Sequence, residues 1–189
     1  MSSFLGHTLA AFTVSQATRA PRQHRLWFLW LAVLASAPDI DYLVPALHLG
    51  ALRYRISHSL VGALLLPALT SAVLCVFVRD APLLRRMVVQ TFLAGGSHLL
   101  LDLLVGVTPL PLFWPLWQER IRLPFGILPS AGGVSLSNPY LYRNTLIEMG
   151  VLAPISALLI RRSRLRPIHR VLLAATSAAF VTWSVLLAR

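Results

Sequence analysis

Apolar residues run along this chain in six stretches, at about 4–18, 26–37, 58–78, 87–105, 144–160 and 168–188. Short arginine-bearing connections separate most of them, and a long Pro- and Gly-rich connection, 106–143, precedes the fifth. Pro38 stops the second stretch, residues 42–50 continue as a broken apolar segment, and Ser57 offers an N-cap to the third. The third, fourth and sixth stretches are long enough to cross a bilayer as helices. The first two are short: twelve residues make about 18 Å of helix, against a hydrocarbon core of roughly 30 Å. They are expected to form a hairpin that stops partway, or to lean on the other helices. No internal repeat is visible.

Composition turns this pattern into a class. Of 189 residues, 57% are hydrophobic, and the mean hydropathy is +0.71, too apolar for a soluble domain of this size. The expected fold is all-α, a polytopic membrane helical bundle of five to six apolar segments. It forms one integral membrane domain over 1–189, with the site helices within 1–160 and a C-terminal helix at 168–188. The net charge of +11 comes from seventeen arginines and no lysine. These sit at the ends of apolar runs, as topology signals do, and not in the one-sided cluster of a nucleic-acid binder; no nucleic-acid partner is expected. Cys75 is alone, so neither a disulfide framework nor a thiolate zinc site is available. The N-terminal run lacks a basic leader and contains His7, unlike a cleavable signal.

Three basic connections (19–25, 79–86 and 161–170) fall on one side if the segments alternate. The positive-inside rule makes that side the cytoplasm. The long connection and both termini then face outward, in a multi-pass membrane protein.

Against this background the acidic residues stand out. There are six; Asp80 and Glu119 lie in connections, whereas Asp39, Asp41, Asp102 and Glu148 lie in or beside apolar segments, as do His7, His58 and His98. Ionisable groups in hydrocarbon are costly, and are paired, metal-bound or on a solute path. His98 and Asp102, four apart, share one helix face. Counted at 1.5 Å per residue from the nearest arginine of the basic side, His7, Asp39, His98, Asp102 and Glu148 lie about 18 to 24 Å up, in the outer half of the membrane. His58 comes out deeper, at roughly 31 Å from Arg79.

Imidazole and carboxylate without thiolate suit a divalent ion, with zinc the first expectation and manganese or iron beside it. Seven candidate ligands (His7, Asp39, Asp41, His58, His98, Asp102, Glu148) allow one ion or two bridged by a carboxylate. Such pairs serve phosphoester hydrolysis. Asp39 or Asp41 could bridge or act as general base, so these two are the candidate catalytic groups. Arg53, Arg55 and Arg122 could hold a phosphate headgroup, and Trp114, with Trp117, could line a substrate entrance. His24, His48 and His169 belong to loops.

The order of His7, Pro38-Asp39-Ile40-Asp41, Ile56-Ser57-His58-Ser59, Gly96-Ser97-His98 with Asp102, and Phe113-Trp114-Pro115 resembles the YdjM family of inner-membrane, metal-dependent hydrolases, also described as LexA-binding. The resemblance covers about residues 1–160. That family is in turn distantly similar to zinc-dependent phospholipase C and related single-strand nucleases, whose helices carry His-x3-Asp and His-x3-Glu ligand pairs. His98-x3-Asp102 matches the first pair. Asn144-x3-Glu148 resembles the second with Asn for His, which makes Asn144 a candidate substrate contact. The resemblance implies that His7, Asp39 or Asp41, and His58 complete the ligand set, for one or two ions.

The expected function is a membrane-bound, metal-dependent hydrolase that acts on a phosphoester in a lipid or lipid-linked substrate through metal-activated water. The alternatives are a non-catalytic membrane regulator or scaffold with a structural metal, of the LexA-binding type, and, after it, a metal or proton transporter. An open coordination position would favour the enzyme, and a closed tetrahedral one the structural role.

Overall fold

Six helices carry the described residues: α1 Phe4–Ala17, α2 Arg25–Ser36, α3 Leu60–Phe77, α4 Ala81–Val105, α5 Pro139–Arg161 and α6 Pro167–Leu187. They come from a computed structural model, which describes residues 2–18, 25–42, 55–106, 108–123, 126–130, 137–161 and 163–187. Short 3-10 turns at Ala37–Tyr42 and Ile56–His58 follow α2 and precede α3. The chain is a helical membrane bundle: α3, α4, α5 and α6 are each long and apolar enough to cross a membrane.

All six apolar stretches are helical, and their ends are set by capping. Helix α4 starts at Ala81, six residues before the apolar run, because the Asp80 carboxylate accepts a hydrogen bond from the Leu83 amide and Pro82 stands in the first turn. Arg85 and Arg86 hide this start from an apolarity reading. Helix α5 likewise gains a polar first turn from Pro139, which lengthens it to 23 residues and makes it a candidate span. The N-cap of α3 is Ser59, whose hydroxyl accepts from the Gly62 amide; Ser57, expected there, donates to Asp41 instead.

These starts also resolve the depth of His58. Leu60 to Phe77 spans about 26 Å, and so does Ala81 to His98. Measured from the connection between α3 and α4, His58 and His98 therefore stand at one level. The discrepancy came from counting α4 from Arg86, five residues above its first residue.

The short α1 and α2 do lean on the others. Ala11, Leu31, Leu34, Ala35 and Ala94 form one buried cluster where α1, α2 and α4 meet. At the arginine-bearing end, buried Gln90 of α4 ties the three helices together. Its carbonyl accepts from Trp27 Nε1 at 2.6 Å, and its amide donates to Thr18 Oγ1 at 2.7 Å. A second cluster of Leu101, Val105, Leu128 and Val151 joins α4, α5 and the long connection. That connection returns to α4 through hydrogen bonds from the Ile127 and Leu128 amides to the Leu104 carbonyl. Leu110 and Ile121 pair as an isolated antiparallel bridge within it. Helix α6 packs outside α5 with little but Ser177 and Ser184 buried, its apolar side chains facing outward.

Two glycines let backbones approach where the bundle needs it. A Cβ on Gly62 would strike the Ile56 carbonyl, so Gly62 lets the turn carrying His58 fold onto the first turn of α3. A Cβ on Gly95 would meet Pro67 Cγ at 2.6 Å and the Ala63 carbonyl at 2.9 Å, where α3 packs on α4 one turn before His98. Gly95→Leu is therefore expected to cost about 1–3 kcal/mol through overpacking. The neighbouring Gly96, whose Cβ would meet nothing within 4 Å, should accept Leu. Thermal unfolding of the two detergent-purified variants checks this, and equal melting temperatures would refute the packing argument.

Candidate metal centre

Helix α4 brings His98 and Asp102 to one buried face, exposed by 0% and 3%. The turn after α2 brings Asp39, and the turn before α3 brings His58. One donor atom from each of Asp39, His58, His98 and Asp102 lies within 4.8 Å of the others. His58 Nε2 stands 3.5 Å from Asp39 Oδ1 and 3.4 Å from Asp102 Oδ2, and His98 Nε2 stands 3.7 Å from each of the same two oxygens. Four donors about 2.0–2.1 Å from a tetrahedral zinc ion are spaced about 3.4 Å apart. The cluster therefore has the size of a coordination shell.

Its hydrogen bonding points the same way. Asp39 Oδ1, His98 Nε2 and Asp102 Oδ2 are buried with no protein hydrogen-bond partner, a costly state for polar atoms unless a ligand completes it. The opposite ring nitrogens are held. His98 Nδ1 donates to the Ala35 carbonyl at 2.8 Å, one of the unshared carbonyls at the end of α2. His58 Nδ1 lies 3.1 Å from Asp41 Oδ2. A proton fixed on Nδ1 leaves Nε2 a lone pair aimed at the centre. Arg55 Nη2 also approaches His58 Nε2, at 3.3 Å.

Asp41, expected as a ligand or base, faces away from this point. Arg55 grips it in a two-pronged ion pair, with Nε to Oδ2 and Nη2 to Oδ1 both at 2.9 Å, and the Ser57 hydroxyl donates to it at 2.9 Å. Burial would raise the Asp41 carboxyl; hydrogen bonds from His58, Arg55 and Ser57 outweigh that and hold it well below the usual carboxylate range. Asp41 is thus a permanently charged support for the His58 ring. Burial likewise opposes charging His58, yet the surrounding carboxylates of Asp102, Asp39 and Asp41 lift its pKa to about 10. The field at this point favours a cation.

His7 meets the cluster from α1. It is fully buried, both ring nitrogens lack a hydrogen-bond partner, and its ring stacks on His98 at 4.1 Å. Its Nε2 faces the second oxygens of the two carboxylates, Asp39 Oδ2 and Asp102 Oδ1, at 3.9 Å each. Asp39 and Asp102 thus each turn one oxygen toward His58 and His98 and the other toward His7.

Glu148, expected as a ligand, lies one layer out. Its carboxylate accepts from the Ser3 amide at 3.0 Å and from the Ser2 hydroxyl, while the Ser2 amide donates to Asp102 Oδ1 at 3.0 Å. Free amides at the start of α1 need an acceptor, and an anion there is favoured by the helix dipole. Ser3 itself caps α1 by accepting from the Gly6 amide.

The expected substrate contacts fare differently. Arg55 is committed to Asp41. Asn144 donates to the Ser130 carbonyl at 2.6 Å and accepts from Arg143 Nε, which ties α5 to the long connection, away from the centre. Trp114 is half-buried in the turn that follows Leu112, whose carbonyl accepts from the Leu60 amide two residues after His58. Arg122 is exposed beyond the Leu110–Ile121 bridge. Arg53, His24 and His48 lie outside the described residues, and His169 is exposed in the first turn of α6.

Asp39→Asn and Asp102→Asn each remove a donor charge and are expected to abolish binding of zinc. Asp41→Asn keeps the ligands but loosens the His58 ring and should weaken binding about 10- to 100-fold. Calorimetric titration of the purified variants measures both; equal loss in all three would return Asp41 to the ligand set.

No curated protein and no solved structure matches the chain significantly. The family comparison does, across residues 1–187 and so through every helix that builds the centre: the chain belongs to the YdjM inner membrane protein family.

Proposed function

We propose that this protein is a membrane-embedded, metal-dependent hydrolase of a phosphoester in a lipid or lipid-linked substrate. The carrying observation is the two-sided presentation of Asp39 and Asp102. Their inner oxygens, with His58 and His98, make a four-donor set, which by itself is a closed tetrahedral site of the structural kind. Their outer oxygens, with His7, make a three-donor set, the number that leaves a position for water or substrate in catalytic sites. Divalent ions at such a pair lower the pKa of bound water and polarise a phosphoryl oxygen.

The chain's own residues supply the rest. His58 and His98 are held in register by Asp41 and the Ala35 carbonyl. Asp39 is the accessible member, its side chain 26% exposed against 2% for Asp102; substrate enters on its side. Ile40, next to Asp39, is exposed, as are Phe113, Leu116 and Trp117 in the turn that follows Leu112, with Phe113 and Trp117 stacked. Apolar and aromatic side chains there support a substrate presented from lipid rather than a free polar metabolite.

The competing reading is a non-catalytic regulator with a structural ion, supported by the closed four-donor set. Metal analysis with an assay of phospholipid and generic phosphoester hydrolysis separates the two. The wild type is expected to hold two ions and hydrolyse. His7→Ala should hold one and be inactive, and His98→Ala should lose both. A protein with a single ion, insensitive to His7→Ala and inactive on the whole panel, would sink the hydrolase and support the scaffold.

The same reading places the centre in the periplasmic half and the three basic connections in the cytoplasm. In a Cys75→Ala background, Ser130→Cys should react with an impermeant thiol reagent in intact cells and Ser163→Cys should not; the opposite pattern would invert the protein.

A further inference from the structure

At the end of the bundle away from the metal centre, α1 and α5 part to leave a groove of about 700 Å3. Leu9 and Phe12 of α1 form one wall, and Ala153, Ala157 and Ile160 of α5 form the other. The small residues on α5 make the room. Ser156, in the floor, presents no free polar group: its hydroxyl donates to the Leu152 carbonyl and accepts from Thr13. The interior is therefore apolar over the eight residues from Ala153 to Ile160, about 12 Å of helix.

The mouth has the opposite character. Gln16, Arg161 and Arg164 line it, and the turn after α5 holds the two arginines together through the Arg164 amide, which donates to the Arg161 carbonyl at 2.8 Å. Both arginines are exposed, and neither has an acidic partner among the described residues. An apolar slot ending in two unpaired guanidinium groups matches an acyl chain joined to a phosphate. A second copy of this chain does not match. Its net charge is +11, and of its six acidic residues four belong to the buried layer around the centre. Of the other two, Asp80 caps α4, which leaves Glu119 as a single exposed carboxylate against two guanidinium groups.

We propose that this groove binds one anionic phospholipid, acyl chain along Leu9, Phe12, Ala153 and Ala157 and headgroup phosphate on Arg161 and Arg164. It is separate from the metal centre and does not depend on its chemistry. Each arginine near a membrane surface contributes a modest, additive attraction to an anionic headgroup. Arg161→Ala/Arg164→Ala should then weaken binding on the order of thirty-fold, about fivefold for each arginine.

The test is native mass spectrometry of the delipidated full chain in neutral detergent, titrated with phosphatidylglycerol, with phosphatidylcholine of the same acyl chains, and with inorganic phosphate. Wild type should take one phosphatidylglycerol in preference to phosphatidylcholine. The double arginine variant should lose the preference, and Ala157→Phe, which fills the slot and leaves the mouth intact, should lose binding of both lipids. Arg85→Ala/Arg86→Ala, in another basic connection, should change neither. Unchanged preference in the double arginine variant, or unchanged binding in Ala157→Phe, would overturn the proposal. Inorganic phosphate binding as tightly as the lipid would replace it with a simple anion site, and equal loss in the Arg85/Arg86 control would replace it with diffuse surface charge.

Discussion

The cost of holding carboxylates and imidazoles inside an apolar bundle governs this structure. Asp102, Glu148, His7, His58 and His98 are nearly or fully buried, where an unpaired polar group is expensive. Three of them have their outward-turned atoms partnered: the Ala35 carbonyl for His98, Asp41 for His58, and the Ser2 amide for Asp102. Of the buried side-chain atoms left without a partner, Asp39 Oδ1, His98 Nε2, Asp102 Oδ2 and His7 Nε2 lie together, and that concentration points to a ligand site rather than a buried hydrogen-bonded network.

The support around the centre is layered. Arg55 and Ser57 hold Asp41, Asp41 holds the ring of His58, and Gly62 lets the turn bearing His58 close on α3. On the other side Glu148 anchors residues 2 and 3, and the Ser2 amide reaches Asp102. The centre thus joins α1, α4 and the turns flanking α2 and α3, and α5 enters through Glu148. Packing at Gly95 and the Gln90 network hold those helices in register one to two turns below. Loss of a distant packing contact would move the donors apart, because the coordination shell tolerates only tenths of an ångström.

The two ends of the bundle differ in chemistry. The centre lies at the end where α1 and α5 begin and gathers Asp39, Asp41, Asp102 and Glu148 of the chain's six acidic residues, whereas the opposite end sets Asp80 against a larger number of arginines. A cation is favoured at the first and anionic headgroups at the second. The groove between α1 and α5 belongs to the second regime.

Much was legible in the sequence because its signals are local. Apolar runs bounded by arginine specified six helices, and the four-residue spacing of His98 and Asp102 specified a shared face. The rarity of acidic residues marked a site, and the order of the motifs marked the family. Capping signals at Asp80 and Ser59 were also local, though apolarity masked the first. What only the tertiary structure decided is which donor atoms meet. Asp39 and Asp41 are two residues apart in one turn, and either could have faced the centre; Arg55 and Ser57, fourteen and sixteen positions on, claim Asp41. Glu148 has a ligand's chemistry and depth, yet the start of α1 claims it. His7, remote in sequence from the other donors, becomes central once α1 packs against α4. Choices of this kind depend on contacts between residues distant in sequence, whose pairing is set by packing and hydrogen-bond satisfaction, and no local pattern encodes them.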